Sequence, residues 1–416
     1  MIAIQQKIRR ALTPEQVFMV SAFVVNGGNY LYNLALGRVL GPDAFADAAI
    51  LITLMLVLSF VAMTFQLAVA KFTTEFDDKK QGTFINRVYT QASRFGVVLG
   101  AAIVVFATQL QKIFQTESSV MFTIFGLAVP IYFIMSVNRG RLQGEKAFIQ
   151  LSITYQLEML CRLALTFALL LVFNITSSIA VSSAIAISFI AGVFPFKKIR
   201  IKGVSQKVLN RKENKIIVQF FVLTACYELT QIICNNSDIL LVKHYFPLHD
   251  AGLYASLALI GRVVYFVTWM FVMLLLPTVV SMRKEGKNSV PVLLQYVGYI
   301  TVLASAIVAF TFLFPTVAVQ LLFGEQYIAI APLLGWYALA TSFFALSNIF
   351  AYYYLSLNHY KPIVIAAVFG LLQVVLIMGF HNSLFQVVIV QMIAMGTLLL
   401  AQVAYFFLTQ RSSKRA

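Results

Sequence analysis

The sequence predicts an all-α integral membrane protein with twelve transmembrane helices, arranged as two six-helix lobes related by a parallel internal repeat. Of its 416 residues, 60% are hydrophobic and only 11% are charged, whereas about 25% are charged in an ordinary soluble domain. A helix that crosses the hydrocarbon core of a bilayer needs about 20 apolar residues. We place twelve such segments, centred near residues 26, 57, 98, 128, 162, 187, 230, 266, 302, 342, 371 and 396. They lack the alternating pattern of outer-membrane barrel strands.

The basic residues orient these helices. With Met1 inside, about 25 of the 31 Lys and Arg residues fall in cytoplasmic segments, three fall outside and three fall within helices, and such a bias fixes the topology. Both termini are therefore predicted to be cytoplasmic. The net charge of +16 reflects this distribution, so it gives no reason to expect a nucleic-acid partner.

The first predicted lobe spans residues 1–196 and holds helices one to six. Its positive N-terminus leads into a segment that contains NGGN and lacks a small-residue cleavage site, so we interpret this segment as helix one and not as a signal peptide. Helix one ends at a break at Gly41-Pro42. Helices three and four flank a short outer loop, and NRGRLQGEK after helix four is predicted to be an inner loop. Helix six ends at Pro195.

A basic linker, residues 197–215, joins this lobe to the second one, which spans residues 216–416 and holds helices seven to twelve. The linker is rich in Lys and is expected to rest on anionic lipid. In the second lobe the inner loops SMRKEGKNS and NHYKP and the tail RSSKR carry further basic residues. Because each lobe has an even number of helices, the repeat would have its axis along the membrane normal.

A polar line on helix seven predicts a polar pathway inside the membrane. Its residues follow one another at spacings of four, three, four and three, which places them on one helix face. They are Thr224, Glu228, Gln231, Asn235 and Asp238. Helix one carries a similar line 206 residues earlier, which consists of Asn26, Asn29 and Asn33. Hydrocarbon cannot satisfy such groups, so both lines are expected to face protein or a water-filled cavity.

Charged residues inside the predicted helices are candidates for function by default. Arg94, Arg162 and Arg262 lie within helices, and Arg262 has no acidic residue within four positions, which makes it the best candidate for binding an anion. The predicted cavity-lining residues are Asn26, Asn29, Asn33, Arg94, Arg162, Gln231, Asn235, Arg262, Asn348 and Tyr352. The predicted ion- or proton-coupling residues are Glu158, Glu228 and Asp238.

Each of these candidates also has a structural explanation. The Asn side chains of helix one can bond that helix to its neighbours, and Arg94 can extend to the membrane interface. Glu158 can neutralise Arg162, which lies four residues further along the same helix face. The two carboxylates of helix seven can hold Arg262 or other basic groups in place. Both kinds of explanation stay open at this point.

Several kinds of site are not indicated by the sequence. The loops are too short for a soluble catalytic domain, and GRLQGEK lacks the spacing and the Ser or Thr of a phosphate-binding P-loop. The three Cys residues all fall within predicted helices and are odd in number, so they do not suggest a disulfide framework. We therefore predict that the protein is not an enzyme and uses no cofactor and no metal.

Two stretches carry a resemblance to a known family. GRVLGPDAFADAAIL and, more clearly, NNSDILLVKHYFPLHDAGLYASLALIGRVVYF resemble the polysaccharide-transporter branch of the multidrug, oligosaccharidyl-lipid and polysaccharide (MOP) exporter superfamily. In that branch, helices one and seven end in an apolar stretch with an Asn or Asp. A turn follows, and the next helix opens with a Gly-Leu-Tyr-like step, here Gly252-Leu253-Tyr254. The first half departs from the pattern, since Ala46-Asp47-Ala48 stands at that place.

The resemblance implies a flippase of the bacterial cytoplasmic (inner) membrane. Its substrate would be an undecaprenyl-pyrophosphate-linked oligosaccharide repeat unit, moved from the inner to the outer leaflet by alternating access for cell-surface polysaccharide synthesis. A sugar chain with a pyrophosphate does not cross about 30 Å of hydrocarbon unaided. The implied partners are this lipid-linked oligosaccharide, membrane lipids and the polymerase or assembly proteins of polysaccharide synthesis.

Two other functions stay open. A cation-coupled drug exporter of the same superfamily would use the helix-seven carboxylates Glu228 and Asp238 to bind protons or Na⁺. The three intramembrane arginines argue against it, because they would repel a cationic substrate. A membrane-embedded polysaccharide polymerase or acyltransferase would need catalytic groups presented at one membrane face, and the sequence shows neither a long outer loop nor a cluster of acids, bases or His residues.

Overall fold

The computed structural model describes residues 13–76, 78–175, 177–196, 210–265, 285–357 and 359–413, together with Leu275, Val279 and Met282. Within these residues the chain is helical and no strand occurs. The helices of the first half are α1 (Pro14–Glu75), α2 (Asp78–Val105), α3 (Ala107–Phe114), α4 (Val120–Gly144), α5 (Phe148–Leu171) and α6 (Ser177–Gly192).

The second half begins with α7 (Arg211–Tyr245) and α8 (Leu248–Gly261). After the break in the described residues come α9 (Val290–Leu313), α10 (Pro315–Leu322), a 3₁₀ helix (Glu325–Ile330), α11 (Ala331–Ser356), α12 (Lys361–Gly379) and α13 (Leu384–Ser413). The eight-residue helices α3 and α10 are too short to cross a bilayer.

Nine helices in the described part of the chain are long and apolar enough to cross a membrane, which makes this a multi-pass membrane protein. One of the nine is Gln16–Glu75, a stretch of 60 residues, and α6 is a shorter apolar helix. The predicted centres all fall within described helices except residue 266, which lies outside the described residues. The count of twelve and the internal repeat stay predictions.

Helix α1 contains two apolar stretches separated by a kink. Gly41 has a φ angle of 71° and a ψ angle of 173°, and Pro42 follows it. Glycine adopts positive φ without steric cost, and proline removes a backbone N–H from the helix. The break predicted from the sequence at Gly41-Pro42 lies at this kink. At the other end, Thr13 and Gln16 form a capping box that begins the helix.

The described residues form two compact units. Unit 1 draws on the described residues of Met1–Leu36 and Asp47–Leu229, and unit 2 draws on those of Gly37–Ala46 and Thr230–Ala416. Helices α1 and α7 therefore contribute residues to both units. The predicted lobes 1–196 and 216–416, with a linker at 197–215, stay a prediction.

Two glycines bring α4 against the second part of α1 inside unit 1. A Cβ atom at Gly144 would lie 2.7 Å from the carbonyl oxygen of Ala70, and one at Gly140 would overlap the carbonyl oxygen of Gln66. Small residues four apart let two helix backbones approach closely in a membrane. This packing fixes the position of α4, which carries part of the site described below.

One buried apolar cluster of unit 2 is formed by α7, α11, α12 and α13. Its buried apolar residues are Cys234, Phe344, Ala366, Ala394, Met395 and Leu398. Gly370 on α12 lets α7 approach, because a Cβ atom at Gly370 would lie 2.7 Å from the sulfur of Cys234. This contact holds the middle of α7 inside the unit, and with it the polar line predicted from the sequence.

Candidate functional site

Unit 1 contains a buried cluster of three charged residues, which we call the Arg139 cluster: Arg139 on α4 and Glu158 and Arg162 on α5. The Oε2 atom of Glu158 lies 2.8 Å from Nη2 of Arg139, and its Oε1 atom lies 3.3 Å from Nη1 of Arg162. The exposed fractions are only 3%, 9% and 3% in the order of the chain. Two arginines share one carboxylate, so the cluster has a formal charge of +1.

Arg139 is held by several groups of α5. Its Nε atom donates to Oγ1 of Thr154 at 3.0 Å, and its Nη2 atom donates to the carbonyl oxygen of Thr154 at 3.0 Å. Its guanidinium carbon lies 3.9 Å from the centroid of the Tyr155 ring, within reach of a cation–π interaction. The Tyr155 hydroxyl accepts a hydrogen bond from Nε2 of Gln66 at 3.0 Å. Glu158, Thr154 and Tyr155 thus fix the position of this guanidinium.

Arg162 connects α5 to α1. Its Nη2 atom donates to Oδ1 of Asn29, and its Nη1 atom lies 2.8 Å from Sδ of Met55. Asn33 donates from Nδ2 to the carbonyl oxygen of Asn29 at 2.8 Å. The structure therefore brings together Asn29 and Arg162, which the sequence predicted separately as cavity residues, and it also places the coupling candidate Glu158 in the same cluster.

Other predicted residues of unit 1 lie elsewhere. Asn26 on α1 and Arg94 on α2 are exposed, and within the described ranges neither belongs to the Arg139 cluster. Glu228 on α7 is buried, with 8% of its surface exposed. Among the described residues it has no hydrogen-bond or ion-pair partner. Of the three predicted coupling residues, it alone has no partner of this kind in the described ranges.

Arg139 is not among the site residues predicted from the sequence. The prediction of an inner loop at NRGRLQGEK was wrong, because α4 continues through this segment to Gly144. No proline interrupts the segment, and the glycines at 140 and 144 pack against α1. The signal that would have found Arg139 is the spacing of Gly140 and Gly144, since small residues four apart are typical of helix packing in a membrane.

Unit 2 contains a second buried charge site, the Asp238 cluster. Asp238 on α7 is fully buried, and its Oδ1 atom lies 2.7 Å from Nη2 of Arg262. Its Oδ2 atom accepts hydrogen bonds from the hydroxyls of Tyr337 at 2.7 Å and Tyr254 at 3.2 Å, and from Nε2 of Gln391 at 3.4 Å. Four donors from three other segments thus satisfy one carboxylate, as a charge inside a membrane protein requires.

Arg262 follows the last residue of α8, and its side chain bonds within the Asp238 cluster. Its Nε atom donates to the Tyr337 hydroxyl at 3.2 Å, besides the ion pair to Asp238. A small pocket lies next to it and is lined by Cys234, Asn235, Arg262, Ala340, Thr341, Phe344, Gln391 and Met395. The predicted role of Arg262 in anion binding stays a prediction, and the geometry matches the structural explanation that pairs it with a carboxylate of helix seven.

The remaining predicted residues of unit 2 form an amide network. Gln231 on α7 and Asn348 on α11 exchange two side-chain hydrogen bonds, at 3.2 and 3.1 Å. Tyr265 donates to Oε1 of Gln231 at 3.2 Å, and Asn235 donates to the carbonyl oxygen of Gln231 at 3.1 Å. Tyr352 on α11 is buried. The polar face of α7 is therefore directed into protein, as its position in a membrane requires.

The guanidinium, amide and hydroxyl groups described above differ in the ligands that they can bind. A guanidinium keeps its charge when buried and presents a planar fork of N–H donors that matches phosphate oxygens. Amides and tyrosine hydroxyls can hydrogen-bond sugar hydroxyls. The Arg139 cluster of unit 1 therefore suits an anion better than a cation, and the amides of unit 2, taken by themselves, suit sugar hydroxyls.

Comparison with known proteins gives the family. Residues 35–332 match the model of a family described as "Polysaccharide biosynthesis protein". The chain belongs to this family. No curated protein sequence matches the chain.

Several solved structures share its fold. An inward-facing multidrug resistance MATE family transporter of the MOP superfamily is 13% identical, with a TM-score of 0.75 over 92% of this chain and 96% of that one. The lipid II flippase MurJ in an inward closed conformation is 15% identical, with a TM-score of 0.75 over 94% of this chain and 87% of that one. An outward-facing MATE family transporter gives a TM-score of 0.62 at 15% identity, over 96% of both chains.

Such low identities establish the fold alone, and the family match adds polysaccharide biosynthesis. Together they confirm the resemblance to the polysaccharide-transporter branch of the MOP superfamily. The named structures are of transporters and of a flippase.

Proposed function

We propose that the protein is a flippase that moves undecaprenyl-pyrophosphate-linked oligosaccharide repeat units from the inner to the outer leaflet of a bacterial cytoplasmic membrane. The observation that carries the proposal is the Arg139 cluster, in which two arginines face one glutamate within membrane-spanning helices. A net positive charge at such a place is costly unless an anion compensates it during function. A pyrophosphate is an anion of this kind, and the family match to polysaccharide biosynthesis supports a sugar as the rest of the cargo.

In this account the protein works by alternating access. Twelve helices in two repeated six-helix lobes would present the site first to the cytoplasm and then to the outer face, with both termini in the cytoplasm. The arginines of the Arg139 cluster bind the pyrophosphate, and amide and tyrosine side chains hydrogen-bond the sugar hydroxyls. The lipid tail needs no protein site, because it stays in hydrocarbon throughout. A polymerase or another assembly protein at the outer face would take the delivered unit.

The cation-coupled drug exporter is less well supported. Its sequence-based form used Glu228 and Asp238 as ion sites, but Arg262 and three neutral donors already occupy the carboxylate of Asp238. The Arg139 cluster would also repel a cationic drug. A polymerase or acyltransferase is disfavoured because the proteins with this fold that are named above are transporters or flippases.

The experiment uses cells that make a lipid-linked repeat unit but lack their own flippase. Expression of this protein is expected to restore surface polysaccharide and to reduce the lipid-linked units that accumulate on the cytoplasmic side. Arg162→Ala is expected to fail at equal membrane abundance. Arg141→Ala is the matched control, because Arg141 pairs with Glu145 at the end of α4 and takes no part in the Arg139 cluster.

Two results would overturn the proposal. One is unchanged accumulation of lipid-linked units, with full-length protein present in the membrane, across hosts that make different repeat units. The other is resistance to cationic dyes conferred by the wild type and retained by Arg162→Ala, which is the behaviour of a drug exporter.

A further inference from the structure

The two arginines of the Arg139 cluster are not equivalent, and their hydrogen bonds show the difference. Arg139 makes the shorter contact to Glu158, at 2.8 Å, and its Nε and Nη2 atoms also donate to Thr154. The aromatic ring of Tyr155 covers one face of its guanidinium at 3.9 Å. The protein itself supplies strong partners for this arginine, so little of it is left for a ligand.

Arg162 has weaker partners. Its contact to Glu158 is longer, at 3.3 Å, and the same Nη1 atom is directed at the sulfur of Met55 at 2.8 Å. A thioether sulfur is a weak acceptor, and a poor match for a charged N–H group inside a membrane. Its Nη2 atom donates to Asn29, a half-buried residue of the polar line of α1. A phosphate oxygen that replaced Met55 or Glu158 would improve the hydrogen bonding of Arg162.

Glu158 and Arg139 form a closely packed pair. Gly192 of α6 packs against this pair, and a Cβ atom at Gly192 would lie 3.1 Å from Cβ of Glu158 and 3.3 Å from Nη2 of Arg139. In the described ranges, no other carboxylate forms an ion pair with either arginine. Arg139 therefore takes up most of the negative charge of Glu158, and the uncompensated positive charge lies at Arg162.

Resting on the proposed function, we infer that Arg139 is a positioning residue that sets the charge of the substrate site: by pairing with Glu158 it leaves the positive charge of Arg162 largely uncompensated, and Arg162 binds the pyrophosphate of the substrate. Glu158 in turn is an internal competitor, which pairs with Arg162 whenever no substrate is bound and helps to release the substrate. The ligand class is a polyprenyl pyrophosphate, recognised through its phosphate oxygens.

The test changes the charge of the cluster in steps. Purified protein in detergent micelles is titrated with farnesyl pyrophosphate, and binding is followed by the increase in melting temperature that a ligand of the folded state produces. Farnesol and inorganic pyrophosphate are measured in parallel, which separates a lipid effect from a phosphate effect. The wild type is expected to bind farnesyl pyrophosphate, and inorganic pyrophosphate more weakly, and not to bind farnesol.

Arg139→Gln makes the cluster neutral and is expected to weaken binding about tenfold to a hundredfold, the range for loss of a charged hydrogen bond. Adding Glu158→Gln restores the charge of +1 and should recover most of the binding. A purely structural role for Arg139 predicts that the double variant binds no better than Arg139→Gln, because it has lost more hydrogen bonds than the single variant. No recovery in the double variant, or full binding by Arg139→Gln, would overturn the inference.

Glu158→Gln alone keeps the inference testable if Arg139→Gln does not fold. It removes the internal competitor, so binding of farnesyl pyrophosphate should be at least as tight as in the wild type while transport in cells becomes slower. Weaker binding by this variant would contradict the inference. Arg141→Gln is the matched control and should bind like the wild type.

The titration also separates this inference from the proposed function. Binding that depends on the charge of the cluster, in a protein that restores no surface polysaccharide in cells, would refute the flippase proposal and leave the pyrophosphate site intact. If the protein restores surface polysaccharide but these substitutions do not change its binding of farnesyl pyrophosphate, the proposed pyrophosphate site is refuted and the flippase proposal is not.

Discussion

At Asp238, four side-chain donors converge on one buried carboxylate, and Arg262 is one of them. The sequence made Arg262 the best anion candidate because no acidic residue lies within four positions of it, but its partner is on another helix. An arginine in such a network serves mainly as the counter-ion of the buried carboxylate. The Arg139 cluster differs because two arginines share one glutamate there. Charge balance within each cluster, and not burial alone, separates a structural pair from a candidate anion site.

The first prediction concerns the ion pair of Asp238 and Arg262. Arg262→Ala would leave Asp238 buried without its cation, which costs about 3 to 5 kcal/mol when one partner of a buried ion pair is removed. Arg262→Met combined with Asp238→Asn removes both charges and should recover most of the stability. The measurement is the melting temperature of the purified protein in detergent. Equal stability of Arg262→Ala and the wild type would show that the pair does not hold unit 2 together.

The second prediction concerns Glu228. It is buried, and in the described ranges it has no partner, whereas Asp238 is satisfied by four donors. If transport is coupled to protons or Na⁺, Glu228→Gln should abolish its dependence on the imposed ion gradient, and Asp238→Asn should mainly reduce stability. Flipping is measured in vesicles with and without each gradient. Unchanged ion dependence in Glu228→Gln would exclude this residue as the coupling site.

At the scale of helices, α4 determines how unit 1 is built. Its glycines at 140 and 144 touch the backbone of α1, and the same helix carries Arg139 into the protein interior. The sequence analysis ended this helix early because basic residues and glycines usually mark a loop. In a membrane protein, however, glycines four apart are also a helix-packing surface. Periodicity predicted where helices lie, but not where this one ends.

The third prediction tests that packing. Gly140→Ala would place a Cβ atom against the carbonyl oxygen of Gln66, and such overpacking costs about 1 to 3 kcal/mol. Gly82→Ala is the matched control, because a Cβ atom at Gly82 would have no neighbour within 4 Å and alanine favours the helix. The two variants are compared by thermal unfolding. A loss of stability in Gly82→Ala but not in Gly140→Ala would contradict the packing described for α4.

At the scale of the molecule, hydropathy predicted most of the helices, since a membrane demands long apolar segments whatever their neighbours are, and Gly41-Pro42 predicted the position of the kink in α1. The sequence also identified Asn29, Glu158 and Arg162, which the structure brings into one cluster. It offered the two helix-seven carboxylates as partners of Arg262 without choosing Asp238, and it did not pair Arg139 with Glu158, because helical periodicity shows the face on which a residue lies and not the helix that this face meets. Pairing of distant helices needs the three-dimensional structure.

The fourth prediction concerns topology. Reporters fused within residues 197–215 and at the C-terminus should both be cytoplasmic, because basic residues are retained on that side. Fusions that report opposite sides would mean an odd number of membrane crossings in the second half, which is incompatible with two six-helix lobes. A fusion at the kink of α1, after Pro42, should report the outer side and serves as the control.

Transport of the proposed substrate in a purified system tests the central claim most directly. The protein is reconstituted into vesicles that contain a polyprenyl-pyrophosphate-linked oligosaccharide in both leaflets, and a membrane-impermeant enzyme that modifies the sugar is added outside. Without a flippase about half of the substrate is protected, because lipids with large polar heads cross unaided only very slowly. The wild type should expose nearly all of it, and Arg162→Ala should leave the protected half in place. Persistent protection with folded wild-type protein in the vesicles would contradict the account.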